Sequence, residues 1–115
     1  MSYYGYYTPS GWAFLKIQVY GLDKPTIKVF GSWSGSYLDG DSWHVNSGCT
    51  KIEDNESEYV VSGNSGSQYI LSKTANHITA YNKGVLEDMI QELRSYGHQA
   101  DIISVEDAIV LIREN

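Results

Sequence analysis

The stretch Ala13-Phe14-Leu15-Lys16-Ile17-Gln18-Val19-Tyr20 decides how this chain folds. Ala13, Leu15, Ile17 and Val19 fall on one side of an extended backbone, and Phe14, Lys16, Gln18 and Tyr20 fall on the other. Side chains alternate across a strand with a period of two, so the pattern predicts a half-buried β-strand. On that phase Phe14 and Tyr20 belong to a second sheet face that needs a cover. The cover is either the irregular aromatic arm at residues 2–11 or another subunit, which leaves a homodimer open. Gly21-Leu22-Asp23-Lys24-Pro25 carries the punctuation of a turn, and residues 26–30 return as a strand with Ile27 and Val29 inward.

Working outward, Trp43 and Val45 open a third strand that Asn46-Ser47-Gly48 breaks, and residues 49–53 form a fourth. Residues 59–61 and 68–71 are two more, joined through Gly63-Asn64-Ser65-Gly66-Ser67. The period then changes. Val85, Leu86, Met89, Ile90, Leu93 and Tyr96 recur at three- and four-residue steps, which predicts an amphipathic helix over 82–96 closed by Gly97. Residues 99–103 read as a short strand, and Ser104-Val105-Glu106-Asp107 resembles a capping box ahead of a helix over 105–113. The resulting class is α+β, a mainly antiparallel sheet of about five to seven short strands. Two C-terminal helices are expected to pack on one face of it. A single domain covers residues 1–115, with the arm at 1–11, a β-rich part at 12–72 and a helix–strand–helix part at 80–113.

At 115 residues and 42% hydrophobic content, the chain has enough apolar material for one core. Its formal charge is −6, and its eight Lys and Arg are scattered with no two adjacent. A phosphate backbone calls for a basic stripe, so direct nucleic-acid binding is disfavoured. Cys49 is alone and supports no internal disulfide. The opening residues lack a leader pattern and no apolar run approaches a membrane span, so the expected location is cytoplasmic.

Catalytic chemistry needs groups that can activate one another, and the spacing supplies none. His44, His77 and His98 lie far apart without an HxH or HxxxH pair, so no metal site is expected. Cys49 with His44 or His77 would make a nucleophile–base pair, but it follows a Gly turn with no helix N-terminus to lower its pKa. Asp39 and Asp41 read as turn chemistry. The expectation is a non-enzymatic binding protein without a cofactor.

The binding candidates come from the loops. Tyr3, Tyr4, Tyr6, Tyr7, Trp12, Phe14, Tyr20, Phe30, Trp33, Tyr37 and Trp43 all precede residue 45, interleaved with Gly and Ser. Of these Trp33, Tyr37 and Trp43 sit on predicted loops, where stiff aromatic surface serves recognition. Ser34-Gly35-Ser36 and Ser65-Gly66-Ser67, each followed shortly by a tyrosine (Tyr37, Tyr69), could turn backbone N–H groups onto an anion. Glu53, Asp54, Glu56 and Glu58 form an acidic hairpin suited to a basic partner surface.

Trp43-His44-Val45-Asn46-Ser47-Gly48-Cys49-Thr50-Lys51-Ile52-Glu53, with Gly63-Asn64-Ser65-Gly66-Ser67-Gln68-Tyr69, resembles a group of small uncharacterised proteins from phages and prophages. Ala80-Tyr81-Asn82-Lys83-Gly84-Val85-Leu86 also fits the helix start of that group. The resemblance implies a phage-like origin and, by the company such proteins keep, inhibition of a host protein such as a CRISPR-type defence effector in the host cytoplasm. It carries over no catalytic residues. The alternative expectation is a small-ligand binder, a nucleotide-signal sponge or a carbohydrate module. Gly/Ser loops would hold its phosphate or hydroxyl groups, and a Trp or Tyr ring would stack on it.

Overall fold

Residues 13–18 lie in a strand that ends before Val19 and Tyr20, and that strand is buried on both faces. The computed structural model describes residues 2–3, 6–33, 42–78 and 80–114. Among these, the elements run β1 (Ser2–Tyr3), β2 (Tyr6–Tyr7), β3 (Gly11–Gln18), β4 (Thr26–Trp33), β5 (Ser42–Val45), β6 (Cys49–Asp54), β7 (Glu58–Gly63) and β8 (Gln68–Ser72). A short 3-10 turn (Lys73–Ala75), α1 (Ala80–Ser95), β9 (Gln99–Ile103) and α2 (Val105–Glu114) complete the chain. The α+β class with two C-terminal helices therefore holds.

β3 and β4 pair from Gly11↔Ser32 to Ile17↔Thr26 as an antiparallel hairpin. With β9 beside β3 and β5 beside β4, they make a four-stranded antiparallel sheet of order β5-β4-β3-β9. The other strands form a second sheet of order β1-β2-β8-β7-β6, antiparallel except where β2 runs parallel to β8. Alternation along β3 and β4 turns Ala13, Leu15, Ile17 and Phe30 to one side, where Leu86 and Ile90 of α1 and Ala100 of β9 close over them. Trp12, Phe14, Ile27 and Val29 turn to the other side and meet Val61, Tyr69 and Leu71 of the second sheet, with Val105 and Ala108 of α2. The two helices thus serve opposite faces of the first sheet rather than a shared one. Two apolar faces on one strand pair require two covers.

Several expectations change for the same reason. Phe14 is covered by the second sheet within the chain, so that face needs no second subunit. Tyr20 lies beyond the end of β3 and is 83% exposed. Trp12, the first residue of the expected β-rich part, lies at the start of β3 and is 1% exposed, with its Nε1 donating to the Ser72 carbonyl at 2.8 Å. Its ring meets Phe14 and Tyr59 edge-on, at 5.7 and 5.9 Å between centroids. The arm docks through β2, pairing Tyr7 with Tyr69 on the edge of the second sheet.

Helix ends follow their sequence signals. Gly97 takes φ +90°, and the N–H groups of Gly97 and His98 return to the carbonyls of Arg94 and Leu93 at 3.0 and 3.2 Å. These two bonds satisfy the last carbonyls of α1. Ser104 caps α2, its Oγ accepting the Asp107 N–H at 3.1 Å.

The crossing between sheets depends on Asn46. Its buried side chain accepts the Val29 N–H through Oδ1 at 2.8 Å, and its own N–H donates to the Val29 carbonyl at 3.2 Å. Gly48 follows at φ +146°, where a Cβ would come within 2.7 Å of Asn64 Nδ2. Asn46→Ala strips a buried donor of its partner, which costs about 1–3 kcal/mol. Denaturant unfolding should show that loss, and an unchanged midpoint would contradict the role given to Asn46.

Candidate protein-binding surface

Strand register divides the loop aromatics. β4 and β5 pair Ser32 with Trp43 and Trp33 with Ser42, so the two tryptophans stand on opposite faces of the first sheet. Trp33 turns toward the second sheet. Its indole Nε1 donates to the Thr8 carbonyl at 3.1 Å, and its ring lies 6.3 Å from Tyr7. Tyr7 stacks on His44 at 4.8 Å and on Tyr69 at 4.7 Å, while His44 Nδ1 and the Tyr69 hydroxyl are hydrogen-bonded. Burial, with Tyr7 and Cys49 alongside, pushes the Tyr69 hydroxyl above the usual tyrosine range. Tyr69 has no exposed surface and is a packing residue rather than a partner contact.

Trp43 is different. Its ring stacks nearly parallel on the buried Phe30, 5.7 Å between centroids and 9° between planes, and the residue is 44% exposed. The first turn of α1 comes alongside, because buried Asn82 donates through Nδ2 to the Ser42 carbonyl at 3.2 Å. That turn presents Tyr81, which is also exposed. Trp43 and Tyr81 therefore bracket one end of the first sheet, with Phe30 fixing the indole from beneath.

A second exposed group escaped the sequence reading. Tyr20 and Leu22 on the β3–β4 turn and Tyr96 at the end of α1 are exposed, and the Tyr20 N–H donates to His98 Nδ1 at 3.0 Å. Both tyrosines continue an apolar periodicity past the end of the element that carried it. The adjoining glycines, Gly21 and Gly97, were the signal that each element had stopped.

The polar candidates do not converge. The acidic hairpin joins β6 to β7 and the Ser65-Gly66-Ser67 turn joins β7 to β8, so they occupy opposite ends of β7. At the hairpin, Asp54 pairs with Lys73 at 2.5 Å, a bond that raises the Lys73 pKa, and Glu53 lies 3.7 Å from Lys51. Glu56 and Glu58 form no ion pair among the described residues. At the turn, the N–H groups of Gly63, Asn64 and Gly66 already donate to the carbonyls of Ser67, Gly48 and Gly63 at 2.8, 2.9 and 3.1 Å. Of the Ser65-Gly66-Ser67 element, the Gly66 N–H is therefore turned back into the hairpin rather than outward to an anion. Ser34, Gly35, Ser36 and Tyr37, with Asp39 and Asp41, lie outside the described residues.

Cys49 is a poor nucleophile here. Burial pushes its thiol up to about 11, outweighing the Asn46 side-chain bond and the nearby Lys28 that act downward. Asn46 Nδ2 reaches its sulfur at 3.4 Å, whereas His44 is engaged by Tyr7 and Tyr69. Among the described residues, no group of three or more His, Cys, Asp or Glu could hold a metal ion, and no helix is long and apolar enough to cross a membrane. Compared with known protein families, curated proteins and solved structures, the chain has no match.

The thiol has a measurable consequence. It ionises near 9.0 in the unfolded chain and near 11 in the folded one, so the unfolded state releases its proton first. Stability from this group is whole below pH 9.0 and falls as the pH rises to about 11. The loss is on the order of 2–3 kcal/mol. Unfolding at stepped pH should show a smaller alkaline loss in Cys49→Ala than in the wild type. Parallel profiles would refute the assignment.

Proposed function

We propose that this chain is a non-enzymatic binding protein of phage-like origin that engages and inhibits a host protein in the host cytoplasm. The observation that carries the reading is Trp43, a large indole left half in solvent yet held flat on Phe30. An aromatic already fixed in place loses little conformational freedom on binding, and tryptophan and tyrosine dominate interface hot spots. Tyr81 extends the apolar centre of the surface, and the chain's excess of carboxylates suits a partner that is basic around its own apolar contact. A defence effector of the CRISPR type, whose nucleic-acid groove is basic, is a host protein with that character. The resemblance of residues within 43–69 to small phage proteins points in the same direction.

A second reading rests on the same ring. One face of the Trp43 indole is seated on Phe30, which is also how a stacking platform for a sugar or nucleobase is built. A thermal-shift panel of nucleotides and sugars separates the two readings, since only the small-ligand binder gives a saturable rise.

Affinity capture from bacterial host lysate, comparing wild type with Trp43→Ala and Tyr81→Ala, tests the primary reading. A stoichiometric protein partner should be retained by the wild type and weakened at least about thirtyfold by Trp43→Ala, the loss expected of a hot-spot tryptophan. The variant should still unfold cooperatively. Equal capture by wild type and both variants would sink the proposal.

A further inference from the structure

We propose that the open edge of β9 accepts an extended, basic segment of a partner protein as an added strand, with Arg94 acting as a clamp that must swing away. β9 ends the first sheet, and no described strand lies beyond it. Its register with β3, Leu15↔Ile102 and Ile17↔Ala100, places Ala100 and Ile102 on the face covered by α1, whereas Asp101 stands on the opposite face. Arg94 comes from α1, yet it reaches both. Its Nε donates to the Ala100 carbonyl at 3.2 Å and its Nη2 lies 2.9 Å from Asp101 Oδ1. A side chain that joins opposite faces of an edge strand has to pass around the edge, so the Ala100 carbonyl points outward. In an antiparallel ladder the N–H and C=O of one residue point the same way, and the residue two further along repeats them. Ala100 and Ile102 therefore both present their backbone groups to the open side.

Grooves with mixed polar and apolar walls flank this edge on both faces. On the α1 side a groove of about 470 Å³ is lined by Ile90 and Ile102 together with Glu87, Asp88, Gln91 and Arg94. Leu15, one strand inward, is fully buried, while Ile102 is 50% exposed, so the cover from α1 stops at β9. On the α2 side a smaller groove of about 250 Å³ runs between Ile103 and Val110. A strand laid along β9 sends alternate side chains into the two grooves, which is the geometry of β-strand addition. Glu87 and Asp88 have no ion-pair partner among the described residues, and Asp101 is released once Arg94 leaves. Lysine or arginine on the incoming strand takes over these three carboxylates. The same charges argue against a second copy, because antiparallel pairing of β9 with itself gathers six carboxylates from two chains of net charge −6. β9 and β5 are opposite edges of the sheet, so this surface is separate from Trp43.

The test titrates the full chain with a fluorescent peptide of alternating valine and lysine and follows amide exchange at Ala100 and Ile102. A valine–glutamate peptide and a backbone N-methylated valine–lysine peptide are the controls. Saturable binding of the first peptide, slowed exchange at both amides and about tenfold weaker binding of the N-methylated form are expected for lost ladder hydrogen bonds. Arg94→Ala should tighten the unmethylated peptide, and Ile102→Lys should weaken it. Equal binding of the N-methylated peptide would reduce the effect to charge attraction and overturn the proposal, as would no binding. A dimer that Ile102→Lys dissolves would assign the edge to a second copy and overturn it too.

Discussion

The β3–β4 pair is apolar on both of its faces, and the rest of the architecture answers that constraint. Leu15 and Phe30 look one way and Trp12, Phe14 and Val29 the other, all of them buried. Burying a side chain of this size stabilises by roughly 1.5–3 kcal/mol, so leaving either face in water would forfeit much of a small domain's stability. One amphipathic helix is enough for the first face, and α1 supplies it. The second face is met by a whole sheet, with α2 filling the space beside it. The chain then has to pass from one sheet to the other, which it does at residues 46–49. There Asn46 gives Val29 the hydrogen bonds that β5 no longer offers.

Exposure at the edges follows from the same layout. α1 is centred over β3 and β9, with Leu86, Ile90 and Ala100 in its contact, and it leaves the flanks of the sheet partly open. Trp43 on β5 and Ile102 on β9 are the large side chains caught at those opposite flanks. The polar loops behave in the reverse way. In the β7–β8 turn the Gly63, Asn64 and Gly66 donors are taken up by backbone carbonyls, and at the β6–β7 hairpin Asp54 is paired with Lys73.

Much of this was legible in the sequence because it is local. Alternation located β3 and β4, the change of period located α1, and Gly97 and Ser104 marked helix ends that the structure reproduces within a residue or two. What alternation cannot carry is parity across a loop. Trp33 and Trp43 are separated by residues 34–42, and only the pairing of Ser32 with Trp43 shows that they face opposite ways. The division into two sheets is hidden for a related reason, since a strand with Lys16 and Gln18 on one face reads as half exposed. Those polar residues cluster at one end of β3, while Trp12 and Phe14 on the same face are buried at the other. Tyr20 misleads because the pattern outlasts the pairing, which ends at Gln18↔Gln99.

The central claim is that register sorts the three tryptophans into a core residue, a half-buried one and an exposed platform. Fluorine NMR of protein labelled with 5-fluorotryptophan tests it directly, using a soluble paramagnetic gadolinium chelate to broaden resonances near solvent and Trp43→Phe to assign one of them. The account predicts that the Trp43 resonance broadens most, the Trp12 resonance stays sharp, and Trp33 falls between them. A sharp Trp43 resonance beside a broadened Trp12 would contradict both the register of β5 and the two-layer core.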